Sequence, residues 1–93
     1  MEEKRIEQKL RRRVKEAGGM ALKFVSPGYA GMPDRIILFS GGRVGFVEVK
    51  APGEHPRALQ LSRHEELKAL GFLVFVLDND ERIGEIIDEI RAS

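Results

Sequence analysis

The sequence predicts one small α/β domain, a mixed sheet with helices covering it, in the order α-β-β-β-α-β-α. Three observations predict it. Two β-prone stretches, 34–39 and 43–50, flank Ser40-Gly41-Gly42, which is the composition of a hairpin turn. The unbroken apolar run Phe72-Leu-Val-Phe-Val-Leu77 has the length of a strand and reads as one buried on both faces. Segments with apolar residues at helical spacing lie before, between and after these strands.

Each element follows from its residues. Ile6, Leu10, Val14 and Ala17 recur at helical spacing, so 2–17 reads as a helix, stopped by Gly18-Gly19. Its remaining positions are charged: Lys4, Arg5, Lys9, Arg11, Arg12, Arg13 and Lys15 against Glu2, Glu3, Glu7 and Glu16, a net of +3. A charge run of this kind reads first as a solvated helix face. Met20 to Val25 reads as a short strand, and 26–33, with two Gly and two Pro, as a loop. The hairpin follows, and then a second loop, 51–57, with two Pro and a Gly. Residues 58–70 read as a helix with Leu59, Leu67 and Leu70 near one face and Gly71 as its stop. After the 72–77 strand, Asp78-Asn79-Asp80 supplies N-cap residues for a last helix carrying Ile83, Ile86, Ile87 and Ile90. From Asp78 onward six acids face two Arg, a net of −4.

Composition narrows the function classes. A chain of 93 residues is one domain, 1–93; two cores do not fit. At 42% hydrophobic it is not a disordered tail. With 16 basic and 15 acidic residues the net charge is +1, so bulk charge gives no support to a nucleic-acid partner. The absence of Cys removes disulfides, thiolate zinc sites and cysteine nucleophiles. The charged N-terminus lacks the apolar stretch of a signal peptide, and an apolar run of six residues cannot cross a bilayer. The expectation is a soluble, cytoplasmic protein with no membrane partner. Its small core makes dimerisation a natural way to bury more apolar surface.

The chemistry concentrates in Pro33-Asp34 and in Glu48-Val49-Lys50. Glu48 and Lys50, two apart on a strand, share a face with Val44 and Phe46, so the face looks inward before it becomes charged. Buried charge is costly unless paired or bound to a metal. Two carboxylates and a neighbouring backbone carbonyl would suit a hard cation such as Mg²⁺, and a lysine beside it would orient or deprotonate a water. Register tests the idea. A two-residue turn at Gly41-Gly42 puts Asp34 opposite Val49, on the wrong face. A three-residue loop, Ser40 to Gly42, or a β-bulge puts it opposite Glu48. Glu-Val-Lys alone would read as an ordinary strand ion pair; with Pro-Asp at hairpin distance the site reading is favoured.

Pro33-Asp34 followed by Glu48-Val49-Lys50 resembles the PD-(D/E)XK nuclease pattern. The wider run Ser26-Pro-Gly-Tyr-Ala-Gly-Met-Pro-Asp-Arg35, then Phe46-Val-Glu-Val-Lys-Ala-Pro-Gly53, then Gln60, resembles its VRR-NUC branch, in particular small phage and bacterial members. The resemblance covers nearly the whole chain and implies a restriction-endonuclease-like core. It implies Asp34, Glu48 and the Val49 carbonyl as metal ligands, Lys50 as the catalytic lysine and Gln60 as a glutamine near the centre. It also implies a first-helix Glu near the metal. Glu7, about 20° around the helix from Val14 on ideal geometry, is the choice, with Glu3 one turn earlier the competitor. The function implied is a Mg²⁺- or Mn²⁺-dependent endodeoxyribonuclease, a homodimer acting on branched DNA such as Holliday junctions. A flap or nicking nuclease, or a non-catalytic nucleic-acid-binding module with the same fold, is the alternative.

Further candidates are single residues. His64, one turn after Gln60, could face a phosphate, though a lone helical His is more often a surface residue, and Gln60 reads otherwise as a helix N-terminal polar residue facing water. Tyr29, Arg35, Lys23 and Arg57 could line a groove for a DNA strand, through stacking and phosphate contacts. His55 lies in a loop without a second ligand at metal spacing, and the glycines of 28–31 are not followed by the Gly-Lys-Ser/Thr of a P-loop.

Overall fold

The computed structural model describes residues 2–93. Helix α1 (Glu2–Glu16) leads into strands β1 (Met20–Lys23), β2 (Arg35–Phe39) and β3 (Arg43–Val49). Helix α2 (Ala58–Ala69), strand β4 (Leu73–Leu77), a 3₁₀ turn at Asp80–Arg82 and helix α3 (Ile83–Arg91) complete the chain. The sheet order is β1-β2-β3-β4, antiparallel across the first two pairs and parallel between β3 and β4. The parallel pair needs a crossover, and α2 is that crossover. Among the described residues no helix is long and apolar enough to cross a membrane.

Alternation along the strands separates two faces. One is covered by α1 and α3 and is dry: Ile37, Phe39, Val47, Val49 and Leu77 pack against Ile6, Leu10, Val14, Ile83, Ile86, Ile87 and Ile90. These seven helical residues are the apolar stripes read from the sequence, and all are buried. The other face carries an aromatic row, Phe24–Phe46–Phe72, with ring centroids 5.5 and 5.6 Å apart and edge-on. On ideal alternation Glu48 continues that row toward α2.

Three expectations are corrected. The 72–77 strand is not buried on both faces: β4 closes one edge of the sheet, only Leu77 is fully buried, and Phe72 lies outside the strand and is exposed. An apolar run can serve an edge because its residues pack on both sides without being covered. Of the three leucines expected on the inner face of helix α2, only Leu67 is turned inward. Its buried residues are Gln60, His64 and Leu67, whereas Leu59 and Leu70 are exposed. The sheet face beneath α2 is partly polar, so the helix presents polar side chains to it. Strand β1 ends at Lys23, though the Phe24 N–H still donates to the Asp34 carbonyl at 2.9 Å. The N-cap residue Asn79 serves the 3₁₀ turn, accepting from the Glu81 N–H at 2.9 Å, and α3 begins at Ile83.

Candidate active site

The hairpin register places the two carboxylates together. Phe39 pairs with Arg43 and Arg35 with Val47, so Ser40-Gly41-Gly42 is a three-residue loop and Asp34 falls opposite Glu48. Both glycines have positive φ, +84° and +73°, values that L side chains rarely adopt. Of the two devices expected, the longer loop is the one used. The Asp34 Oδ1 accepts the Val49 N–H at 3.2 Å, which ties the start of β2 to the end of β3.

Glu48 is 3% exposed and is surrounded by donors. Its Oε2 accepts a hydrogen bond from Gln60 Nε2 at 3.1 Å and lies 3.7 Å from Lys50 Nζ. The Gln60 Oε1 meanwhile accepts the Arg57 N–H at the start of α2, 2.8 Å away, which fixes the amide with its NH₂ toward Glu48. His64, one turn later, sets Nε2 3.5 Å from Glu48 Oε1. Neither atom has a hydrogen-bond partner, and both are buried. His64 is therefore no surface residue: it belongs to the wall of the site.

Electrostatics follow from burial. Asp34 is pushed up to about 6, first by desolvation and then by the charges of Glu48, Glu7 and Glu3, against the Val49 N–H, which lowers it. Burial also raises Glu48, outweighing the attraction of Lys50. Burial lowers His64, aided by Lys68, so its neutral form is favoured. A buried carboxylate with one free oxygen, beside a second carboxylate held partly protonated, is a site short of positive charge. The oxygen donors of Asp34 and Glu48 fit a hard cation in that respect. Among the described residues, however, no group of three or more His, Cys, Asp or Glu side chains is gathered as a metal cluster. A cation here would need backbone oxygen or water to complete its shell.

The remaining candidates divide. Arg35 is not in a groove: it is 7% exposed on the α1 side and pairs with Glu7, Nη2 to Oε2 3.1 Å. A buried guanidinium needs a carboxylate, and Glu7 supplies it. Glu7 is thus engaged by Arg35, while the charge of Glu3 is felt at both Asp34 and Glu48. Tyr29 is exposed, but its ring lies under the Arg63 guanidinium, 3.7 Å from the carbon to the centroid, and its hydroxyl bonds Glu66. Lys23 and Arg57 are exposed; the charge of Arg57 reaches Glu48. His55 is exposed in its loop.

Sequence reasoning missed Arg63. Besides covering Tyr29, its Nε donates to the Ala30 carbonyl at 2.8 Å and its Nη1 pairs with Glu66 at 2.9 Å. Gly31 lies so close to α2 that a Cβ there would stand 2.8 Å from Leu59 Cγ. Loop 26–33 is thereby strapped to α2, and it delivers Pro33 and Asp34 to the helix that carries Gln60 and His64. No periodicity marks Arg63, because its loop partners lie over thirty residues away.

No family model matches the chain. It is 50% identical over 76 residues, 82% of either protein, to one named "Putative nuclease p44" from Acyrthosiphon pisum secondary endosymbiont phage 1. It is similar to a solved structure described as a VRR_NUC domain, with a TM-score of 0.88 and 29% identity over 95% of this chain and 96% of that one. The α-β-β-β-α-β-α order is the same core. With half of its aligned residues shared with one relative and nearly its whole backbone with the other, the chain belongs to the VRR_NUC family of nucleases, with a PD-(D/E)XK-like fold.

Proposed function

We propose that the protein is a metal-dependent endodeoxyribonuclease that cuts branched DNA, Holliday junctions among it, as a homodimer. The observation that carries the reading is that Asp34 falls opposite Glu48 in the hairpin register and Lys50 Nζ lies 3.7 Å from Glu48 Oε2, while the buried Oε1 of Glu48 has no hydrogen-bond partner. Asp34, Glu48 and the Val49 carbonyl would hold Mg²⁺ or Mn²⁺. When bound, the ion would polarise the scissile phosphate and lower the pKa of a water. Lys50 orients that water and offsets negative charge as the phosphorus–oxygen bond to the leaving sugar breaks. Gln60 holds the Glu48 carboxylate through its N–H, and His64 backs the other oxygen while keeping bulk water out. Glu7, which pairs with Arg35, and Glu3 are the first-helix carboxylates whose charges reach Asp34, and either would add negative charge beside the ion.

The dimer is supported by Leu59 and Leu70, 45% and 74% exposed and about 20° apart around α2 on ideal helical geometry. Two copies also supply the paired centres that symmetric cutting of two strands requires. The test is incubation with labelled junction, flap and linear duplex DNAs, with and without Mg²⁺ or Mn²⁺. Cleavage of the junction in preference to the linear duplex, only with metal, is expected. Preference for the flap or a nick would move the substrate assignment within the same chemistry. No cleavage of any substrate with either ion would leave a nucleic-acid-binding module.

A further inference from the structure

Between α1 and the free edge of β1 runs an open groove of about 540 Å³, lined by Gln8, Arg11, Arg12 and Lys15 on the helix and Gly19 to Leu22 on the strand. It lies apart from Asp34 and Glu48. On ideal helical geometry Lys4, Gln8, Arg11, Arg12 and Lys15 occupy an arc of about 100° that contains no acid. All five are exposed. Among the described residues, Lys4, Arg11, Lys15 and Lys23 have no carboxylate within ion-pair distance, and Arg12 has only Glu16 at 3.9 Å. The cations on the other side of the helix behave differently: Arg5 and Lys9 are both tied to Asp80 at 3.1 Å. The +3 of α1 is therefore not spread around it. Arg5 and Lys9 are neutralised by Asp80, Arg13 beside α3 has no carboxylate within ion-pair distance among the described residues, and the longest run of unpaired cations is the one left open on the β1 side.

The stripe points at the candidate active site. Lys23, at the end of β1, pairs in register with Arg35, and the next residue donates its N–H to Asp34. Lys4 is next to Glu3, whose charge is felt at Asp34 and Glu48. From Lys4 to Lys15 the helix rises roughly 16 Å, the axial length of about five steps along one strand of duplex DNA. Two occupants compete for the edge. A second copy could add its own β1 and continue the sheet. A two-fold pairing there would set two unneutralised basic stripes side by side, which is repulsive. A polyanion meets the opposite situation, with phosphates facing the cations and sugar or base edges meeting exposed Met20 and Leu22.

We infer that the α1–β1 groove is a track for the phosphate backbone of the nucleic-acid strand leaving the active site, held by Lys4, Arg11, Lys15 and Lys23. This rests on the nuclease reading for its direction but not for its test. Fluorescence anisotropy with a labelled 30-nucleotide DNA, single-stranded and duplex, is measured in EDTA over a salt series, so that binding is scored without cleavage. Lys4→Ala/Arg11→Ala/Lys15→Ala should bind at least tenfold more weakly than wild type at low salt. The slope of log affinity against log salt should fall by about 2 to 3, since each cation removed leaves one phosphate fewer neutralised. Lys68→Ala, on α2 and paired with Glu65, should bind as wild type does. All three stripe positions are exposed, and an unchanged thermal midpoint verifies the fold. Unchanged affinity and slope in the triple variant overturn the track. So does a wild type that sediments as a dimer while the triple variant binds DNA normally as a monomer, which would make the edge a self-association surface. Cleavage that proceeds while the slope is unmoved sinks the track alone. A stripe-dependent slope in a protein that never cleaves sinks the nuclease mechanism alone.

Discussion

The two faces of the sheet are built on opposite principles, although they share the same strands. On the α1–α3 side Ile6, Ile37, Val47, Ile83, Ile86 and Ile90 are at most 1% exposed and the interior is aliphatic. Its one buried charge, Arg35, sits at the margin with its carboxylate partner. On the α2 side the covering helix turns Gln60 and His64 inward, over Glu48 and the flanking Lys50. The buried apolar side chains there include Phe46 and Leu67, while Phe72 and three leucines are exposed. One face supplies stability and the other gives it up: a carboxylate held in a dry wall with an unsatisfied oxygen costs folding free energy. The difference teaches that so small a fold can hold a buried polar cluster on one face of its sheet when the opposite face is uniformly packed.

The sharpest way to break this comparison is to remove the lysine. Lys50→Ala should reduce cleavage about 100-fold or more, with metal-free DNA binding and the thermal midpoint close to wild type. A variant that cuts at the wild-type rate would show that the polar face is not a reaction centre. The complementary change belongs to the other face. Ile86→Ala should destabilise by about 2 to 5 kcal/mol, read from urea unfolding. Cleavage per folded molecule should stay within a few-fold of wild type. Loss of activity in the folded fraction would mean that the faces are not separable.

Gln60 tests the join between them, since one amide both caps α2 and holds Glu48. Gln60→Ala should lose about 1 kcal/mol of stability and slow cleavage about tenfold. Gln60→Glu keeps the acceptor for the Arg57 N–H but has no N–H for Glu48. It also sets a second carboxylate against buried Glu48, so it should slow cleavage at least as much and, by like-charge repulsion, lower stability although the cap acceptor is kept. Equal activity in Gln60→Glu and wild type would reduce Gln60 to a cap.

How much of this could be read from residues alone differs by face. The α1 and α3 stripes were legible because a dry interface demands apolar residues at helical spacing and nothing else. The hairpin was legible to within two turn devices, because two glycines in three turn residues allow few loops. Helix α2 was not legible: its leucines suggest an inward stripe, and only the polar sheet face beneath reverses it. The same holds for Arg35 and His64, exposed types by habit, whose burial depends on partners, Glu7 and Glu48, far along the chain. The 72–77 run hid its edge position because hydropathy reports burial and not neighbours. Asp34, Glu48 and Lys50 stood out since a charged pair after an apolar lead-in is unexpected on any strand. The wall around them did not.

The smallest effect is the most specific to the polar face. Asp34 titrates at about 6 in the folded protein and at 3.8 as an ordinary carboxyl. Between these values the folded state holds more of the proton, so this group favours folding at low pH, and that contribution is lost as pH rises through about 6. Asp80 and Glu66, both lowered by basic or hydroxyl partners, act in the opposite sense, so total stability is a poor readout. The difference between wild type and Asp34→Asn removes them. Asn keeps an oxygen for the Val49 N–H but carries no charge. In EDTA the variant should melt above wild type at pH 7 and the gap should close toward pH 4. Mg²⁺ should raise the wild-type midpoint at pH 7 and leave the variant nearly unmoved, since a bound cation does for Asp34 and Glu48 what protonation does in its absence. A gap independent of pH would mean that Asp34 is an ordinary turn residue, and an equal Mg²⁺ response in both proteins would place the ion elsewhere.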